Sequence, residues 1–152
     1  MKIGIDIHGV IDTYPFGFAK LSRNLIQHGH EVHIVTGESW ATAEPTIKKC
    51  LVKYTHHFSI VDYHREKKTE GLYQDKDGNW WMGEKDWNAS KGLYAQEVGL
   101  DIHFDDQDRY QSAFPKTCAF IIVEPVKYEM VLDVLNDMVI DGTLDSVCKY
   151  YP

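Results

Sequence analysis

Three observations predict an α/β fold: a doubly wound parallel sheet with helices on both faces and one small β-hairpin insertion. Short apolar runs of strand length alternate with longer segments of helical period. That alternation breaks once, at a hairpin signal. The polar residues best suited to chemistry fall just beyond the strands.

The first strand and turn are Lys2-Ile3-Gly4-Ile5-Asp6-Ile7-His8-Gly9-Val10-Ile11-Asp12. Alternate residues of an extended chain project to one side, so Asp6 and His8 are expected to flank one spot. Residues 11–15 read as a loop. Phe18, Leu21 and Leu25 then recur at helical spacing to about His28, with Gly29 as the stop. Residues 31–35 form a second strand that runs into Thr36-Gly37. A helix over about 41–54, with Pro45 near its first turn, leads to a third strand at 58–61.

The rhythm then breaks. Gly71-Leu72-Tyr73-Gln74 and Asn79-Trp80-Trp81-Met82 flank Asp75-Lys76-Asp77-Gly78, and Asp-Gly is a strong hairpin signal. The insertion spans about 66–86 and carries two tryptophans that look exposed. Asn88 or Ser90 is expected to cap a helix through about Val98, which Gly99 ends. Strands at 101–104 and 119–123 follow, the first running into Asp105-Asp106-Gln107-Asp108. Val126, Met130, Val131, Val134, Leu135 and Met138 make a last amphipathic helix with Pro125 near its start. Ile140-Asp141-Gly142-Thr143-Leu144-Asp145 imitates the first turn but follows a helix, so it reads as a helix end.

Length and composition set the frame. The 152 residues suit one domain with a single sizeable core, and 43% hydrophobic with 26% charged residues is ordinary for a globular chain. A formal net charge of −7 argues against duplex nucleic acid or an anionic membrane as an obligatory partner. The three cysteines, Cys50, Cys118 and Cys148, are odd in number and widely spaced. They suggest reduced thiols and a cytoplasmic location. No segment approaches membrane-spanning length.

Ligands of doubly wound sheets sit beyond the carboxyl ends of the strands. Asp6 and His8, Thr36 and Gly37, and Asp105 and Asp106 fall at three such ends, with Lys91 at the start of a helix before the fourth. An ionised aspartate attacks phosphorus without a general base, provided a cation bridges it to the dianionic phosphate. Mg²⁺ suits that role because it favours carboxylate, phosphate and water oxygens. The Thr36 hydroxyl and Gly37 N–H are placed to hold phosphate oxygens, and Lys91 to offset charge.

These residues, in this order, resemble the haloacid-dehalogenase-like (HAD) phosphohydrolase superfamily. Asp6-Ile7-His8-Gly9-Val10-Ile11-Asp12 stands for its first motif and Ile34-Val35-Thr36-Gly37 for its second. Lys91 stands for the third and Phe104-Asp105-Asp106-Gln107-Asp108 for the acidic fourth. The resemblance implies a single HAD-like domain over 1–152, three-layered and Rossmann-like. It also implies a Mg²⁺-dependent phosphomonoester hydrolase with Asp6 as the nucleophile that forms an aspartyl-phosphate. Mg²⁺ would be held by Asp6, the main-chain carbonyl of His8 and Asp105, with Asp106 as a further ligand. Thr36 and Lys91 would bind the phosphoryl group of a phosphorylated substrate.

His8 departs from the family, which has aspartate there as the acid/base. An imidazole can play that role, but a neighbouring Mg²⁺ disfavours its charged form. Three outcomes stay open: an active phosphatase, a slow one, or a catalytically degenerate protein that binds phosphate or a partner. Only the hairpin lies between Thr36 and Lys91, so the site is minimally capped. It suits a large substrate, such as a nucleic-acid end, or a small one such as a nucleotide closed in by a homo-oligomer partner. Trp80, Trp81, Tyr73 and Trp87 offer a stacking platform. Asp6-Ile7-His8-Gly9 also opens the dinuclear metallophosphoesterases, but their later Gly-Asn-His and Gly-His-x-His motifs are missing. His28, His30 and His33 straddle a helix end and a strand start and read as surface histidines.

Overall fold

A computed structural model describes residues 1–124 and 128–143. Five parallel strands form one sheet in the order β3-β2-β1-β6-β7, where β1 is Lys2–Ile5, β2 Glu31–Thr36, β3 His56–Ser59, β6 Ile102–Asp105 and β7 Ala119–Ile122. A separate antiparallel hairpin pairs β4 (Tyr73–Gln74) with β5 (Trp80–Trp81). The helices are α1 (Pro15–Gln27), α2 (Trp40–Lys49), α3 (Ile60–Glu66), α4 (Glu84–Val98) and α5 (Tyr128–Ile140). The fold is α/β and Rossmann-like, as expected. Pro125, Val126, Leu144, Asp145 and Cys148 lie outside the described residues.

The side-chain period of two divides the core. Ile3, Ile5, Val32, Ile34, Ile102 and Phe104 pack with Phe18, Leu21 and Leu25 of α1 and Ala43 and Ile47 of α2. Phe18 meets Phe104 edge-on at 5.6 Å. Val35 and Phe58 instead join Ile60, Ala95, Leu100, Tyr110 and Phe114 in a second cluster. On that second face β1 contributes Gly4, where an added Cβ would run into the imidazole of His103. The missing side chain is what lets a histidine lie buried beside the central strand.

Several boundaries differ from expectation for local reasons. Helix α2 stops at Lys49 rather than near Tyr54, because Leu51 turns the backbone to a φ of +58°. Pro45 lies inside this helix, not in its first turn. The third strand begins and ends two residues early: Ser59 Oγ accepts from the Asp62 N–H at 3.0 Å and starts α3 at Ile60. Asp62 in turn accepts from the Trp40 N–H at 2.6 Å, tying α3 to the start of α2. Helix α4 begins at Glu84 behind Gly83, so neither Asn88 nor Ser90 is its cap and Lys91 sits mid-helix. The chain after β6 forms a short 3-10 turn over Asp108–Ala113. At the end of α5, Asp141 Oδ1 accepts from the Thr143 N–H at 3.0 Å, a helix-end turn as expected.

Helix α4 packs closely on that 3-10 turn at Gly92, where any Cβ would collide with the Ala113 carbonyl. Gly92→Ala is therefore expected to lose ~1–3 kcal/mol through forced backbone displacement. Urea denaturation checks this, and unchanged stability would show that the contact yields freely.

Candidate metal and anion site

The strand order reverses at β1, so the ends of β1 and β6 open a crevice. Asp6 follows β1, its N–H donating to the Phe104 carbonyl at 2.9 Å. The chain then leaves the extended form. Asp12 N–H closes a wide turn on the Ile7 carbonyl at 3.1 Å, with Gly9 at a φ of +69°. A Cβ on Gly9 would strike the Asp106 carboxylate, so this glycine serves both the turn and the close approach.

Asp6 and Asp105 are buried around the fully buried Lys91 of α4. Lys91 Nζ lies 2.7 Å from Asp105 Oδ2 and 3.2 Å from Asp6 Oδ1. It also rests 4.4 Å above the Tyr110 ring. His103 shares a face with Asp105, two residues on, and places Nε2 3.1 Å from Asp105 Oδ2. Asp106 completes a trio in which one carboxylate oxygen each from Asp6, Asp105 and Asp106 lies within 4.8 Å of the others.

Burial pushes the Asp6 carboxyl up to about 6; Asp105 adds to this and Lys91 opposes it. Burial also pushes Asp105 up, but the His103 hydrogen bond and the Lys91 charge outweigh it and hold Asp105 below the usual range. Lys91 is pulled down by burial, yet its two carboxylates keep it above the ordinary lysine value. Burial lowers His103, so a neutral ring donates Nε2–H to Asp105. The result is one ionised carboxylate, one easily protonated carboxylate and a permanent cation, all shielded from water.

His8 lies in the turn beyond β1, not on an extended strand. Its Nδ1 is 3.2 Å from Asp12 and its Nε2 3.2 Å from Glu38. Burial works against its charge, but the Glu38 and Asp12 contacts prevail and raise its pKa. Both ring nitrogens are engaged by carboxylates, and the ring stands outside the three-carboxylate group. Asp12 closes the stretch read as the first motif, whereas Glu38 carries no motif that would have marked it beforehand.

A cleft of about 750 Å³ opens above this network. Asp6, His8, Gly37, Glu38, Lys91 and Asp106 contribute to its wall. Thr36 is fully buried, and its Oγ1 accepts from the Glu38 N–H at 3.3 Å. Gly37 faces Trp87 so closely that a Cβ would lie 3.1 Å from the indole. Trp80, Trp81 and Trp87 line the cleft with Tyr110 and Arg109, and Tyr73 is not among the lining residues. The aromatic wall is partly committed: Trp87 Nε1 donates to the Tyr110 hydroxyl at 3.2 Å and Trp81 Nε1 to Asp75 at 2.8 Å. Sequence reasoning missed His103, Tyr110 and Arg109. Only His103 had a signal, its two-residue spacing from Asp105.

The donors of the trio are all carboxylate oxygens, the hard set that Mg²⁺ prefers, and Asp6 and Asp106 border the cleft. Zinc would look for imidazole or thiolate, which this trio lacks.

No family model matches the chain, and no curated protein matches it. A solved structure similar to part of the chain is glycinamide ribonucleotide transformylase 1 from Symbiobacterium toebii, at 13% identity and a TM-score of 0.40. The match covers 78% of this chain and 49% of the transformylase, so the chain spans about half the length of that protein. A likeness at this level assigns no activity to the chain. The expectation of a Mg²⁺-dependent phosphomonoester hydrolase, with the labels hydrolase and phosphatase, is withdrawn: the comparisons found a transformylase and no phosphohydrolase. No helix among the described residues is long and apolar enough to cross a membrane.

Proposed function

We propose that this chain is a binding protein whose cleft takes up a divalent cation, Mg²⁺ by donor chemistry, together with a phosphate-bearing ligand, without turning it over. The observation that carries this reading is the carboxylate trio at the base of the cleft, buried Asp6 and Asp105 held by Lys91 and joined by the half-buried Asp106. Asp6, Glu38, Glu84 and Asp106 line the cleft against Lys91, Arg109 and the imidazole of His8. A bare phosphate dianion would meet a wall of carboxylates, so a divalent cation has to accompany it. When bound, the cation would supply charge neutralisation between the carboxylates and the phosphate. Arg109 and the backbone N–H of Gly37 are the protein's own anion donors at the rim, since the Glu38 N–H is taken by Thr36 Oγ1.

The state of His8 supports binding rather than turnover. A general acid/base needs a ring nitrogen free to reach the ligand, and both nitrogens face Asp12 and Glu38. The order of Asp6, Thr36, Lys91 and Asp105 on their elements supports kinship with the HAD-like architecture at the level of fold alone. Free thiols at Cys50 and Cys118 fit a cytoplasmic setting.

Calorimetric titration with inorganic phosphate, sugar phosphates and nucleotides, each with and without Mg²⁺, tests the proposal. At least one is expected to bind only when Mg²⁺ is present and to be recovered intact. Binding indifferent to Mg²⁺, or release of phosphate from the ligand, would contradict it.

A further inference from the structure

A second cluster of ligating side chains sits near the amino end of β2, away from the cleft. Pleating puts Glu31 and His33 on the same face of the strand. The parallel register sets His56 of the edge strand β3 directly beside His33. Glu31 Oε2 lies 3.1 Å from His33 Nε2 and 3.8 Å from His56 Nδ1. The two imidazoles stack with centroids 4.5 Å apart, and one ligand atom from each of the three residues lies within 4.8 Å of the others. His33 is buried, contrary to its expected place on the surface.

We propose that Glu31, His33 and His56 form a binding site for a divalent transition metal, with Zn²⁺ as the fitting probe. Two imidazoles and a carboxylate are a donor set that zinc takes readily, with water in the fourth position. The cleft trio, all oxygen, selects a different kind of ion, so the chain separates hard and borderline cations at two places.

The support behind His33 is what distinguishes this group from a chance surface pair. Its Nδ1 lies 2.7 Å from the Tyr94 hydroxyl of α4. A hydroxyl both donates and accepts. With no metal, His33 Nε2–H donates to Glu31 and the Tyr94 O–H donates to Nδ1. With a metal on Nε2, the ring proton resides on Nδ1 and the hydroxyl turns to accept it, which fixes ring orientation and tautomer. Burial pushes the Tyr94 phenol up to about 12, so it keeps its proton in either state. Burial likewise holds His33 below the usual imidazole range, while its hydrogen bond to the Glu31 carboxylate keeps that group below its own. A neutral ring and an ionised carboxylate are the forms that bind metal.

Glu31 and His56 are partly exposed, which gives the ion a way in. Two adjustments accompany binding. The His56 ring pivots out of the stack, releasing Thr55 Oγ1, now 2.9 Å from its Nδ1. Lys2, 3.6 Å from Glu31 on a half-exposed stem, swings aside.

Zn²⁺ titration of the full chain against a chromophoric chelator, in excess Mg²⁺ to fill the cleft, tests the site. One Zn²⁺ per chain is expected, with affinity falling at least tenfold in His56→Ala and in Glu31→Gln. Both positions are exposed enough for the variants to fold, which circular dichroism confirms. Tyr94→Phe is expected to weaken binding roughly 10-fold without abolishing it, since Tyr94 positions a ligand and does not touch the ion. Asp106→Asn should leave Zn²⁺ affinity unchanged. Absence of binding, equal binding in His56→Ala and Glu31→Gln, or loss of binding in Asp106→Asn would each overturn the proposal.

Discussion

Lys91→Met lowers the stability of the protein by ~3–5 kcal/mol at pH 7, the range seen when one partner of a buried ion pair is removed. The ammonium is fully buried between Asp105 at 2.7 Å and Asp6 at 3.2 Å, and methionine nearly matches its volume. The loss is therefore electrostatic, not a packing defect. Two buried carboxylates are left facing each other, and the less costly escape is for one to take up a proton. Asp6, already raised to about 6, is the one that does so. The destabilisation should accordingly be smaller at pH 5 than at pH 7. It should also be partly reversed by millimolar Mg²⁺, which replaces the missing charge. Urea denaturation at both pH values and with added Mg²⁺ measures this. Equal losses at pH 5 and pH 7 would mean that Lys91 acts mainly through packing.

Asp6→Asn is expected to stabilise the protein at pH 7, by ~1–3 kcal/mol. The folded state holds the Asp6 proton up to about pH 6, against an ordinary carboxyl value of 3.8. A raised acid pKa means the folded chain binds more protons than the unfolded one across that interval. The contribution of Asp6 is thus full below about pH 4 and lost as pH rises through 6, some ~3 kcal/mol in all. Asparagine escapes that loss, although its amide has to sit beside the Lys91 ammonium, which trims the gain. Below pH 4 the two proteins should be alike. Denaturation across pH 4–7.5 gives the comparison, and an Asp6→Asn protein less stable than wild type at pH 7 would refute the electrostatic account. A carboxylate kept where it costs stability is the mark of a site maintained for a ligand.

Much of this arrangement was legible in the chain, for identifiable reasons. Ile3 and Ile5 against Gly4, and Val32 and Ile34 against His33, show the period of two that assigns the sheet faces. Asp-Gly marked the hairpin. The start of α3 was also written, in Ser59 three residues ahead of Asp62, but the apolar pair Ile60-Val61 extends a strand pattern equally well. The start of α4 was hidden because Gly83 offers no capping side chain. The grouping of Asp6, Lys91 and Asp105 was expected, but the individual contacts that decide the chemistry were not legible. Glu38 reaches His8, and Lys91 reaches Asp6, across separations that only the folded sheet closes, while Asp12 meets His8 through the local turn after β1. Sequence could name the carboxylates beside the crevice but could not show that both nitrogens of His8 are occupied.

The central claim is that Asp6, Asp105 and Asp106 hold a divalent cation at the floor of the cleft. Mn²⁺, which accepts the same oxygen ligands as Mg²⁺ and is visible by electron paramagnetic resonance, tests it most directly. The account predicts one Mn²⁺ per chain, displaced by Mg²⁺, with binding at least tenfold weaker in Asp106→Asn, whose side chain is the most accessible of the three. Binding of the same strength and stoichiometry in that variant, or no binding at millimolar Mn²⁺, would contradict it.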